Sequence, residues 1–149
     1  MKTNEFYELS FDKFGLKVPK GYWFAGYDTW AKVDGNQATV GITDFLQTKM
    51  GDVAFFTPSE DQVLEQDDVL GTIESIKATI DLTIPVSGKV IRFNPQLVDH
   101  PEIISNDAYG DGWIVELELS DWEGDKAMLL PSEKYFELMQ DKVKNALAD

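Results

Sequence analysis

Apolar and polar residues alternate with a strand-like period through most of the middle of this chain. From Tyr22 to Ile42, YWFAGYDTWAKVDGNQATVGI sets Asp34-Gly35 between AKV and QATVGI, with apolar residues alternating on both sides. That pattern predicts a β-hairpin. Thr43 then stands where a helix cap is needed, before DFLQTKM, and Gly51 stands where that short helix would end. DVAFF follows as a strand stopped by Thr57-Pro58, and VLGTIES, ATIDLTIPV and KVIRF are β-rich segments separated by turn residues. Pro95 to Tyr109 is a long connection leading to GDGWIVELELS, another alternating strand. The period changes at the end: Phe136, Met139, Val143 and Leu147 recur at helical spacing after Ser132, which predicts an amphipathic helix over about 132–147. The first 20 residues are mixed in pattern and punctuated by Pro19-Lys20-Gly21. Many short strands at this density predict a small β-barrel or sandwich. No low-complexity linker divides the chain, so one domain is expected, with an N-terminal extension over about 1–21.

Composition narrows the partners. The 149 residues hold 27 Asp and Glu against 13 Lys and Arg, a net charge of −14. So acidic a surface is repelled by phosphate backbones and favours partners with a basic face, which argues against nucleic acid. Hydrophobic residues at 43% support a packed core. Cysteine is absent, which excludes disulfides, thiolate metal sites and cysteine nucleophiles from the polypeptide itself. Any thiol chemistry must therefore use an added group. The start MKTNEFYELSFDKF lacks the regions of a secretory signal, and no apolar run reaches the length of a membrane span, so a cytoplasmic chain with no membrane association is expected.

Conventional catalytic sets find little support. His100 is the single histidine and lies in the loop VDHPEI, where a solvated or capping role is the plainer one; one histidine cannot build a histidine metal cluster. The EQDD run at 65–68 lacks calcium-loop spacing and reads as a solvated acidic turn. Glycine-rich nucleotide motifs are missing, and Gly110-Asp111-Gly112 is a turn before a strand. The aromatic residues Tyr22, Trp23, Phe24, Tyr27 and Trp30 fit core packing with a partly exposed edge better than a carbohydrate or peptide face. No catalytic residue and no metal site is expected.

Lys77 stands apart. It interrupts ESIKATI, between two segments that favour strands, and small Ser75 and Ala78 flank it. A lysine at such a turn projects from the sheet with its ammonium free to an acylating enzyme. On spacing alone, an exposed turn lysine with no special role is the plainer reading.

The run VGITDFLQTKMGDVAFFTP and the segment GTIESIKATIDLTIPVSGKVIRFNPQLVDHPEIISNDAYGDGWIVELELSD resemble the H protein of the glycine cleavage system. The resemblance spans roughly Trp30 to Asp121 and is carried by ESIKA, PVSGKV and the stretch from Asn106 to Trp113. It implies a mainly β fold, a barrel-sandwich hybrid of the lipoyl/biotinyl type with a short helix and the C-terminal helix. It implies lipoate in amide linkage on Lys77, with Glu74 and Ser75 read by the attaching enzyme, a lipoate ligase or lipoyl transferase. The implied function is that of a non-catalytic carrier. An arm on the order of 14 Å would pass an aminomethyl group from a pyridoxal-phosphate decarboxylase to a folate-dependent aminomethyltransferase, with dihydrolipoyl dehydrogenase reoxidising it. Asp28-Thr29-Trp30 stands where the family typically has His-Glu-Trp. The tail around DWEGDKAMLLPSEKYFELMQ looks more like the lipoate-binding proteins of heterodisulfide-reductase-like sulfur oxidation, which would replace those partners with a heterodisulfide-reductase-like complex. A non-lipoylated binding or regulatory module is the alternative of another class.

Overall fold

The computed structural model describes residues 5–11 and 13–146. In chain order its strands and helices are β1 (Phe6–Phe11), β2 (Phe14–Pro19), β3 (Trp23–Phe24), β4 (Thr29–Asp34), β5 (Gln37–Ile42), α1 (Asp44–Met50), β6 (Val53–Pro58) and β7 (Val63–Leu64). They continue with β8 (Val69–Ser75), β9 (Thr79–Thr83), β10 (Gly88–Phe93), α2 (Ile103–Asn106), β11 (Val115–Leu119), α3 (Trp122–Lys126), β12 (Leu130–Pro131) and α4 (Ser132–Ala146). Seven strands form one open sheet in the order β12-β3-β4-β5-β11-β10-β7, and β6-β8-β9 form a second. The fold is mainly β, of the barrel-sandwich kind.

Alternation explains the sandwich. Ala38, Val40 and Ile42 from β5, Leu70 and Ile73 from β8, Leu82 from β9 and Leu117 from β11 belong to one buried cluster between the sheets. Each such valine, leucine or isoleucine side chain taken fully out of water contributes about 1.5–3 kcal/mol. The β4–β5 hairpin closes through Gly35 and Asn36, with Asp34 opposite Gln37, and Gly35 takes the positive φ (62°) that this turn demands. A second cluster lies beside the first, where α4 packs Tyr135, Met139 and Val143 on Phe24, Trp30, Leu16 and Val18.

Several elements differ from the pattern. The mixed N-terminal segment is a two-stranded hairpin, β1 with β2, whose Tyr7 ring stacks on Phe136 at 5.3 Å. Its apolar side chains are covered because α4 lies against them, a condition that the first 20 residues alone do not reveal. Strand β6 runs through Thr57-Pro58 rather than stopping there, because it is the outer strand of its sheet and Pro58 can sit on an edge. The Pro95–Tyr109 connection contains a 3₁₀ turn at Pro95–Leu97 and the single turn of α2. On α4, Tyr135 joins Met139 and Val143 in the core while Phe136 is half-buried, and Leu147 lies outside the described residues.

Candidate functional site

Lys77 sits at the tip of the β8–β9 hairpin and is exposed. Ser75 builds that tip. Its N–H donates to the Ala78 carbonyl at 2.8 Å, while its Oγ accepts the N–H groups of Lys77 and Ala78, each at 3.2 Å. The same hydroxyl donates to the Met50 carbonyl at 2.7 Å, so both lone pairs and the proton are used. Met50 is the last residue of α1, and the tip is therefore braced on a helix end rather than held by its two strands alone.

The lysine stem uses the same helix end. Thr43 caps α1 with its side-chain oxygen on the Leu46 N–H, and Gly51 closes it at φ 81°, a conformation that favours glycine. A Cβ on Gly51 would lie 3.7 Å from both Cδ and Cε of Lys77. The aliphatic stem thus runs past a backbone with no side chain, and the amine is carried outward. Among the described residues neither Lys77 nor Glu74 forms an ion pair. Glu74 is exposed one residue behind Ser75, opposite Phe55 on β6 and Thr79 on β9. The three residues singled out in the sequence thus lie together: Lys77 as a free amine, Ser75 as a half-buried turn-former, and Glu74 on the outer face.

The surrounding motifs hold α1 in place. At its start, the Asp44 N–H donates to the Tyr109 hydroxyl at 3.0 Å and that hydroxyl donates to the Lys17 carbonyl at 2.6 Å. The Lys17 N–H returns to Asp44 Oδ2 at 2.9 Å. Burial pushes the Asp44 carboxyl up to about 6, with the Asp107 charge adding to the rise and the Lys17 N–H and charge opposing it. At its end, Ser105 of α2 accepts the Val53 N–H at 2.9 Å and lies 3.4 Å from the Gly51 carbonyl. The Ser87-Gly88 turn is fixed differently: Asp125 of α3 accepts the Ser87 N–H at 2.6 Å, and a Cβ on Gly88 would meet the Glu118 carbonyl oxygen.

Asp28 has a partner that its sequence neighbours do not suggest. At φ 76° and buried, it lies 2.8 Å by both oxygens from Lys142 Nζ of α4, and Tyr135 donates to it at 2.7 Å. The buried carboxylate is thereby paired with a lysine 114 positions away in the chain. The adjoining Thr29 Oγ1 is buried with no hydrogen-bond partner among the described residues.

His100 is exposed and lies 3.2 Å from Glu102. Among the described residues no cluster of three or more His, Cys, Asp or Glu is arranged to hold a metal ion, and no helix is long and apolar enough to cross a membrane. Phe24 and Trp30 are buried and Tyr22 and Trp23 are half-buried, so the aromatic run is largely core. What the sequence did not flag is Phe55, a large exposed apolar side chain beside Glu74.

Comparison with known proteins gives consistent matches. A family model described as glycine cleavage H-protein matches residues 22–142. That span extends beyond Trp30–Asp121 to include most of α4, and it leaves the β1–β2 hairpin outside. A glycine cleavage system H protein from Carboxydothermus hydrogenoformans is 38% identical over 126 residues, covering 84% of this chain and 96% of that protein. The mitochondrial glycine cleavage system H protein 2 of Arabidopsis thaliana is 38% identical over 130 residues, covering 87% of this chain and 83% of the relative. The crystal structure of a glycine cleavage system H protein from Mycobacterium marinum superposes with a TM-score of 0.71 at 26% identity, covering 80% of this chain and 97% of that one.

Proposed function

Because this chain belongs to the glycine cleavage H-protein family and is a lipoyl-carrier protein of that kind, we propose that Lys77 is the residue that carries the lipoyl group. The observation that supports it most is the exposed amine, with no ion pair among the described residues, at a hairpin tip braced by Ser75. The site suits the group: the stem is threaded past Gly51, no described residue forms an ion pair with the ammonium, and the acyl chain can extend into solvent. When bound, the lipoyl group supplies the disulfide that the cysteine-free chain lacks and that takes up and gives off the cargo.

Attachment is an acyl transfer. Lys77 Nζ would accept the lipoyl acyl group from an activated donor, the amide C–N bond forming as the donor's acyl bond breaks and its leaving group departs, with one amine proton passing to solvent. Ser75 holds the tip in the shape presented to the attaching enzyme, a lipoate ligase or lipoyl transferase, and Glu74 offers it a charge. Thereafter the chain's own residues anchor and present the arm and catalyse nothing.

Membership of the family implies partner enzymes of the glycine cleavage system. We assign them as the pyridoxal-phosphate decarboxylase, the folate-dependent aminomethyltransferase and dihydrolipoyl dehydrogenase, each visited in turn by the same tip. The acidic surface favours basic collars on all three and rapid encounter. The matches, all to glycine cleavage H proteins and extending into α4, favour this assignment over the sulfur-oxidation proteins that the tail resembles.

Incubating the chain with lipoate, ATP and a lipoate ligase tests the central point. The intact mass should rise by one lipoyl group, mapped to Lys77. Lys77→Arg should fold normally and gain nothing, since a guanidinium does not form the amide. A chain that stays unmodified, as the non-lipoylated binding module would, refutes the assignment, and so does a lipoyl group mapped to another lysine. Glu74→Gln should slow loading more than it lowers the melting temperature.

A further inference from the structure

The outer face of the three-stranded sheet carries an aromatic ring that the core does not use. Phe55 is 64% exposed, whereas its neighbour Phe56 points inward and packs near Phe93 with ring centroids 6.0 Å apart. In register, Phe55 opposes Glu74 and Glu74 opposes Thr79, so the three share one exposed row directly behind the hairpin tip. At the tip itself Ile76 is 99% exposed. A side chain so fully in water gains nothing from folding; it gains when something else covers it. Single exposed apolar residues are ordinary on protein surfaces, but here two of them flank Glu74 and Lys77.

The site beside them says what the cover is. An enzyme that acylates Nζ must bring its acyl donor to the end of one lysine side chain, whose stem lies close against Gly51. The rim of its active site must then rest on the tip and on the row behind it. None of the three strands β6, β8 and β9 carries a lysine or arginine, and Glu74 and Asp81 make that face acidic. A partner here needs an apolar hollow with a basic side chain beside it.

We propose that Phe55, Glu74 and Ile76 form the docking surface for the enzyme that attaches the lipoyl group, with the Phe55 ring as its apolar anchor. This rests on Lys77 being the attachment residue. Anchors of this kind lose about tenfold or more in binding when truncated.

The experiment is a loading time course on the full chain with lipoic acid, ATP and a lipoate ligase, followed by intact mass and analysed for kcat and KM. Phe55→Ser and Ile76→Ser should each raise KM about tenfold, with the melting temperature unchanged, and Phe55→Leu should recover most of the loss. Val63→Ser, at 65% exposure on the other sheet, should load as the unaltered chain does. Ile76 is wholly in solvent, so its variant keeps the test valid even where Phe55→Ser folds poorly. Normal loading of both variants, or an equal loss in Val63→Ser, overturns the docking surface while leaving Lys77 as the attachment point. Normal loading combined with slower transfer from the decarboxylase assigns the patch to that partner and equally overturns the proposal. If the unaltered chain never gains the lipoyl mass, the attachment residue itself is wrong and the surface falls with it.

Discussion

Replacing Lys142 with methionine isolates the contact that fastens the C-terminal helix to the barrel. Lys142 Nζ lies 2.8 Å from both oxygens of Asp28 and also donates to the Gly26 carbonyl. The side chains are 25% and 10% exposed, so the pair is largely withdrawn from water. Methionine keeps the length and apolar stem but leaves the Asp28 carboxylate with the Tyr135 hydroxyl as its remaining side-chain donor. Breaking a buried pair from one side costs about 3–5 kcal/mol, and partial solvation of Lys142 lowers this to about 2–4 kcal/mol. For a chain of this length that corresponds to roughly 5–15 °C in melting temperature. Urea and thermal unfolding followed by circular dichroism measure it. Adding Asp28→Asn to Lys142→Met removes the stranded charge while keeping a residue tolerant of positive φ, and should restore about 1–3 kcal/mol. A loss below about 1 kcal/mol in the single variant, or strict additivity in the pair, would show that α4 is held by its apolar face and not by this ion pair.

Three further outcomes follow from the site and its supports. Ser75→Ala removes the bond to Met50 and the acceptor for two tip amides; it should cost about 1–2 kcal/mol and speed hydrogen exchange at Lys77 and Ala78, with Ser75→Thr recovering part of both, and unchanged exchange would mean the strands alone set the tip. Asp44, raised to about 6 when folded, holds its proton between about pH 4 and 6 where the unfolded chain has released it, so its own contribution to stability declines as pH rises through that window. Asp44→Asn should accordingly gain on the unaltered chain between pH 4 and 7 and level off above, and a pH-independent difference would refute the shift. Thr29→Val removes a buried hydroxyl with no partner among the described residues and should be neutral or stabilise by up to about 1 kcal/mol, whereas a loss above that would reveal a bond to Thr29 Oγ1.

Much of the middle of the fold was legible because its signals are local. Asp34-Gly35 specified a hairpin, Thr43 and Gly51 bounded α1, and VLGTIES coincides with β8 residue for residue. Elements whose identity depends on distant packing were not legible. The β1–β2 hairpin needs Phe136 and its neighbours, and Tyr135 is a core residue because Phe24 stacks on it at 4.5 Å. At the site, the hairpin lysine could be read from its setting between two strand-forming segments. The brace from Ser75 to Met50 could not, since it joins residues 25 positions apart through a backbone carbonyl that no sequence pattern marks. Phe55 was hidden for a related reason: in DVAFF both phenylalanines look like core, and only the register, with a shift between Val53 and Phe55, decides which faces out.

The Ser75 brace also turns the tip into a depth gauge. An anchor tied to a helix end has little play of its own, so the slack of an arm proposed on Lys77 would belong to that arm. With Lys77 as the proposed attachment point, about 14 Å would separate the lysine backbone from the ring, and a reacting group recessed farther than that from a partner's rim would stay untouched unless the rim admits the hairpin itself. Enzymes served by one such carrier are thereby held to a common limit on how deep their chemistry can lie.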